Sequence, residues 1–211
     1  MEKIFAIGDI HGCFDKLCEL MAKINIDRDN DTLLFLGDYI DRGPDSFDVV
    51  EYLIDLKKNF QKIVFLKGNH EEMLEKYLAG KDRLTYLING GHQTLESYMK
   101  RSRMTGSTPI PQEHLDFFES LSFYYQTDNY IFVHAGLREN IPLEMQDYAD
   151  LLWIREDFVG SDFDFGKRVI FGHTPYAEPL VEPNKIGIDT GAVYGNKLTC
   201  IELPEFLFYT A

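Results

Sequence analysis

Residues 4–12 read Ile4-Phe5-Ala6-Ile7-Gly8-Asp9-Ile10-His11-Gly12, a short apolar run that breaks at once into glycine, a carboxylate and an imidazole. Just downstream, Phe14, Leu17, Cys18 and Met21 recur on one helical face. A second apolar run at 32–36 is followed by Val49, Val50, Leu53 and Ile54 at helical spacing, and a third at 63–66 by a helix-favouring stretch over 71–79. This β-α-β-α-β opening predicts an α/β fold, and on local pattern alone a single doubly wound sheet. Further β-runs fall at 131–133, 169–171, 186–188 and 198–201. The alternation is lost between about 80 and 128, where Asn89-Gly90-Gly91 and a polar stretch over 101–112 with two prolines predict an insertion over one end of the sheet. No repeat or linker divides the chain, so one domain over 1–211 is expected.

The chemistry lies where the strands end. The second run leads into Gly37-Asp38-Tyr39-Ile40-Asp41-Arg42-Gly43 and the third into Gly68-Asn69-His70-Glu71. The runs at 131–133 and 169–171 lead into His134-Ala135-Gly136 and Gly172-His173-Thr174-Pro175. In open α/β sheets the carboxyl ends of the strands line the ligand crevice, so five such loops can converge. Asp9, Asp38, Asn69, His11, His134 and His173 then offer six oxygen and nitrogen donors, more than one tetrahedral ion needs and suited to two ions sharing a carboxylate. Paired metals serve in-line displacement at phosphorus, which points to phosphoester hydrolysis. His70 fits a general acid oriented by Asp41, and Arg42 adds positive charge for a phosphate.

In order along the chain, Gly-Asp-Ile-His-Gly, Gly-Asp-Tyr-Ile-Asp-Arg-Gly, Gly-Asn-His-Glu, His-Ala-Gly and Gly-His-Thr-Pro resemble the phosphoprotein phosphatase family of calcineurin-like metallophosphoesterases, in its compact bacterial and phage, lambda-phosphatase-like branch. The likeness runs from about residue 4 to 201 and takes in Trp153-Ile154-Arg155-Glu156 and Ile188-Asp189-Thr190-Gly191-Ala192-Val193. It implies a fold of two packed mixed β-sheets flanked by helices. It further implies that Asp9 and His11 bind one metal, that Asn69, His134 and His173 bind the other, and that Asp38 bridges them. His70 would be the general acid with Asp41 as its carboxylate partner. Arg42 and Arg155, with Asn69, would contact the substrate phosphate. The mechanism so implied is direct attack on phosphorus by a hydroxide bridging two divalent ions. Manganese is the ion suggested by bacterial relatives, while the donor set suits Fe²⁺ or Zn²⁺ equally.

The leading expectation is a serine/threonine protein phosphatase, with phosphotyrosine as a further substrate and a phosphoprotein or phosphopeptide as partner. The alternative is a dinucleoside polyphosphate hydrolase acting on substrates such as diadenosine tetraphosphate, and a second rival is a binding module that has lost catalysis. The intact set Asp41, Arg42 and His70 speaks against the last. No cysteine precedes an arginine by six residues, and Gly-x-Ser-x-Gly, P-loop and His-Glu-x-x-His motifs are absent, which removes other common hydrolases and nucleotide kinases.

Composition narrows the partners. Lys and Arg number 21 against 35 Asp and Glu, a formal charge of −14 that disfavours nucleic acid and anionic membranes, so phosphate chemistry must rest on a local positive site. Cys13, Cys18 and Cys200 show no paired spacing, and no apolar stretch suits a signal peptide or a membrane span, so a cytoplasmic protein is expected. Blander readings cover the remaining residues. His92 and His114 read as capped or core histidines, and Cys13 and Cys18 as helix packing. Phe117, Phe118, Phe123, Tyr124 and Tyr125 read as core of the insertion, and Lys100, Arg101 and Arg103 as a solvated loop. By spacing alone Arg155 could equally be a surface ion-pair residue beside Glu156 and Asp157; the resemblance assigns it to the site.

Overall fold

The computed structural model describes residues 2–101 and 110–211. Arg103 and most of the polar stretch over 101–112 lie outside them. Two five-stranded mixed sheets form the centre of the molecule. The first has the order β10-β9-β1-β2-β3, built from β1 (Ile4–Ile7), β2 (Thr32–Phe35), β3 (Ile63–Phe65), β9 (Thr199–Leu203) and β10 (Leu207–Thr210). The second has the order β4-β5-β6-β8-β7, from β4 (Tyr124–Gln126), β5 (Tyr130–Val133), β6 (Arg168–Phe171), β7 (Leu180–Val181) and β8 (Lys185–Gly187). Pairing is parallel for β1 with β2 and β2 with β3, and for β5 with β6 and β6 with β8; β9 with β1, β10 with β9, β4 with β5 and β7 with β8 pair antiparallel. The fold is thus the two-sheet α/β arrangement, and the single doubly wound sheet suggested by local pattern is corrected.

The physical reason is the period-two alternation of strands that are buried on both faces. Ala6, Leu34, Phe132, Ile170, Ile186 and Ile201 meet between the sheets. Their neighbours Phe5, Ile7, Leu33 and Phe35 face outward into a core built with α1 (Phe14–Lys23), α2 (Ser46–Asn59) and α3 (Asn69–Leu78). On the other side, Ile131, Val133, Val169 and Phe171 pack with residues of two later helices. A strand buried on both sides reads as continuously apolar whether its second partner is a helix or a sheet.

The segment expected as an insertion holds α4 (Arg83–Tyr86), α5 (His92–Arg101) and α6 (Gln112–Glu119), whose Tyr86, Tyr98, Phe117 and Phe118 join the first core. Phe123 and Tyr124 pack instead beside the second sheet's outer core, with α7 (Tyr148–Trp153) and α8 (Glu156–Val159). His114 is buried, 2.7 Å from the Tyr98 hydroxyl. Among the described residues no helix is long and apolar enough to cross a membrane.

Candidate metal centre

The loops leaving β1, β2, β3, β5 and β6 do converge. Two triads have ligand atoms mutually within 4.8 Å, His11 with Asp38 and His70, and Asp38 with His134 and His173, so Asp38 belongs to both. Asp38 Oδ2 lies 3.4 Å from His11 Nε2 and 4.0 Å from His70 Nε2, and its Oδ1 lies 3.5 Å from His134 Nε2. Asn69 Oδ1 joins the second group, 2.9 Å from both His134 Nε2 and His173 Nδ1. Asp9 stands outside both triads but at their edge, where its carboxylate accepts the His173 backbone N–H at 3.0 and 3.2 Å. All of these side chains are buried.

Holding them there strains the backbone. His11, Asp38, Asp41, Arg42 and His173 all have positive φ, from 48° to 72°. Residues other than glycine in this region carry local strain that the surrounding structure must hold, and such residues cluster at functional sites. Two glycines leave the necessary room. A Cβ at Gly68 would lie 2.1 Å from Asp38 Oδ1, and one at Gly172 would lie 2.1 Å from Asp9 Oδ1. Glu71, at the third position of α3, accepts the backbone N–H groups of Gly68, Asp38 and Tyr39 at 2.9–3.0 Å and so ties two of the loops together.

Protonation states fit cation binding. Burial pushes His11 down to about 3 and His134 below the usual range, so both are neutral near pH 7. Each spends its Nδ1–H on a backbone carbonyl, Ile40 for His11 and Leu36 for His134, both at 2.9 Å, which turns the Nε2 lone pair toward Asp38. This second-partner arrangement is how histidine ligands are commonly oriented. His173, pushed down to about 2 by burial, has a buried Nε2 without a partner. Burial opposes the charge on Asp38, yet its carboxyl lies below the ordinary range, with its oxygens facing His11, His134 and His70 at 3.4, 3.5 and 4.0 Å. Burial and the nearby Asp189 and Asp38 charges push Asp9 well up, against the opposing pull of the His173 N–H and the Arg42 charge. Imidazole lone pairs, carboxylates and an amide oxygen without thiolate are a donor set for divalent cations, and the residues present therefore fit two such ions.

His70 differs from the other imidazoles. Burial would lower it, yet Asp38 and a hydrogen bond to Asp41 raise it above the ordinary histidine value. Arg42 donates to His11 Nε2. Arg155 is exposed at the start of α8, and its charge acts on His134, His173 and Asp189. Asp157, its partner in the bland reading, is paired with Arg138 at 3.2 Å instead. Glu71 and Asp189 carry no role on sequence grounds, although both sit inside quoted motifs. Asp189 is buried and pushed up to about 6 by burial, with its Oδ1 accepting the Gly191 N–H at 2.9 Å. For Glu71 a signal exists: an acidic residue three positions after the N-cap Gly68 supplies the carboxylate half of a capping box, accepting the Gly68 N–H at 2.9 Å.

Comparison with known proteins agrees with this geometry. Bis(5'-nucleosyl)-tetraphosphatase PrpE [asymmetrical] of Oceanobacillus iheyensis is 30% identical over 96% of this chain and 89% of its own length, and the protein of that name from Anoxybacillus flavithermus is 29% identical over 94% and 89%. Among solved structures, one provisionally assigned as a diadenosine tetraphosphatase superposes with a TM-score of 0.76 at 22% identity, covering 100% of this chain and 93% of that one. A serine/threonine phosphatase from Saccharomyces cerevisiae gives 0.65 at 20%, covering 96% and 72%. Both of these likenesses are of fold. The calcineurin-like phosphoesterase profile matches residues 2–192, nearly the whole chain, and with the converging loops this makes the protein a member of the calcineurin-like phosphoesterase family.

Proposed function

We infer that this phosphoesterase hydrolyses dinucleoside polyphosphates, cleaving a P–O–P anhydride of a substrate such as diadenosine tetraphosphate to leave a nucleoside triphosphate and a monophosphate. The observation that carries the hydrolytic reading is Asp38, a buried carboxylate common to two imidazole clusters. The substrate reading is supported by the names of the relatives, tetraphosphatases that align over nearly all of this chain. It moves the balance away from the phosphoprotein substrate and the lambda-phosphatase-like branch that the sequence suggested.

In this reading Asp9 and His11 hold one divalent cation, Asn69, His134 and His173 hold the other, and Asp38 serves both, with Mn²⁺ the first ion to try. When bound, the cations would neutralise phosphate charge and make water a competent nucleophile near pH 7. The protein's own groups do the rest. Arg42 and Arg155 orient the phosphate oxygens, which lets an anion enter a chain of net charge −14. Asp41 fixes the His70 ring, and His70 gives its Nε2 proton to the leaving oxygen as the bond to phosphorus breaks.

The test is a comparison of kcat/KM for diadenosine tetraphosphate and for phosphoserine and phosphothreonine peptides, with Mn²⁺, Fe²⁺ and Zn²⁺ in turn. The dinucleotide should be cleaved much faster, yielding ATP and AMP. Faster cleavage of the peptides would return the protein-phosphatase reading.

A further inference from the structure

One exposed aromatic ring stands beside each triad. Tyr194 is 65% exposed and ends a short turn, Ala192–Tyr194, flanked by Gly191 and Gly195, both at positive φ. The Arg42 guanidinium lies over its ring at 5.7 Å, and Arg42 in turn reaches His11 of the first triad. Trp153 is 39% exposed at the end of α7 and stands edge-on to His173 of the second triad, with ring centroids 6.2 Å apart. Its Nε1–H donates to Glu72 Oε2 at 2.8 Å, which fixes the plane of the indole.

We propose that Tyr194 and Trp153 are nucleobase platforms that set the preference of this site for dinucleotides, a proposal that rests on the substrate reading above. Every nucleobase offers a π-face, and an aromatic side chain held at the rim of a positive site captures it without needing base-specific hydrogen bonds. Arg42 under one face of Tyr194 holds that ring by cation–π contact while keeping its other donors for phosphate. A ring beside each triad matches a substrate that carries a base at either end of its phosphate chain. Phosphate compounds without bases gain only the arginines and cations. The rings are therefore specificity residues that act on substrate capture and take no part in the bond breaking itself.

Steady-state kinetics on the metal-loaded enzyme and the fluorescence of Trp153, the only tryptophan in the chain, test this. Tyr194→Ala and Trp153→Ala should each raise KM for diadenosine tetraphosphate about tenfold, with kcat changed by less than about twofold. The preference over inorganic tripolyphosphate should fall by the same factor. Tyr194→Phe and Trp153→Phe, which keep a ring, should restore the dinucleotide KM. In the unmodified protein AMP should quench Trp153 fluorescence where ribose 5-phosphate does not. If the wild type prefers the dinucleotide while the alanine variants keep its KM and AMP leaves the fluorescence unchanged, the platforms are wrong and the substrate reading stands. If the wild type does not cleave the dinucleotide, both fall together.

Discussion

His70 Nδ1 lies 2.7 Å from Asp41 Oδ2, while its other ring nitrogen, Nε2, is buried without a hydrogen-bond partner and points into the site, 4.0 Å from Asp38 Oδ2. Asp41 is itself held: its Oδ1 accepts the Thr94 hydroxyl at 2.6 Å, and its backbone N–H donates to the same hydroxyl oxygen at 2.8 Å. The carboxylate therefore cannot swing away from the ring. It stabilises the imidazolium and leaves one N–H to give away.

A proton donor matters most when the departing oxygen is a poor leaving group. His70→Asn should lower kcat on a phosphoserine peptide or a simple alkyl phosphate about 10²–10⁴-fold. The loss on diadenosine tetraphosphate should be clearly smaller, because a nucleotide phosphate leaves more readily without help. Calorimetric titration should find Mn²⁺ still bound. Equal losses on both substrate types would remove His70 from the acid role and make it a metal or positioning residue, as its place in the first triad would then suggest.

Asp9 is the ligand assignment most exposed to refutation, since it stands outside both triads. Gly172 provides a way to test it without touching the carboxylate. A methyl group at position 172 would lie 2.1 Å from Asp9 Oδ1 and 3.2 Å from its Cγ, so the side chain must move. If Asp9 holds a cation, Gly172→Ala should weaken Mn²⁺ binding about 10–100-fold, the range seen when the supports of metal ligands are disturbed. Unchanged Mn²⁺ affinity by calorimetry would place Asp9 outside the metal shell.

The strand ends are legible in the sequence because each places glycine within two residues of a metal-competent side chain, and such motifs recur five times in order. Seven β-runs are readable for the same reason that the layer arrangement is not. Phe5 and Ala6 are both fully buried, yet one faces helices and the other the second sheet, and periodicity cannot tell those surroundings apart. Glu71 and Asp189 are visible as letters but not as roles, since what they do depends on N–H groups from distant loops and on neighbouring charge. Substrate choice is less legible still. The loops that position phosphorus are common to enzymes acting on proteins and on nucleotides; Trp153 lies in a quoted motif but is read there only as the neighbour of Arg155, and Tyr194 lies just past the quoted stretch ending at Val193. Strands β4, β7 and β10 escape notice because they are two to four residues long and partly exposed.

The last of these strands is fastened by charge. Glu202 on β9 is 3% exposed and accepts from Lys3 Nζ and from Tyr209 Oη on β10, each at 2.6 Å. Burial alone would raise its pKa, but the two donors outweigh that and hold it below the ordinary glutamate value of 4.5. A carboxyl with a depressed folded pKa stabilises the native state fully above its unfolded pKa, and that contribution is lost as pH falls through the folded value. Glu202→Gln keeps an acceptor for Tyr209 and removes only the charge. It should cost about 1 kcal/mol at pH 7, a modest figure because Lys3 is half-exposed and screened by solvent. Urea denaturation at pH 7 and again near pH 3 should show the gap between wild type and variant shrinking in acid. A gap that widens on acidification would mean that the Glu202 charge opposes folding, and that β10 is held by its backbone ladder and by the packing of Tyr209 against the first core.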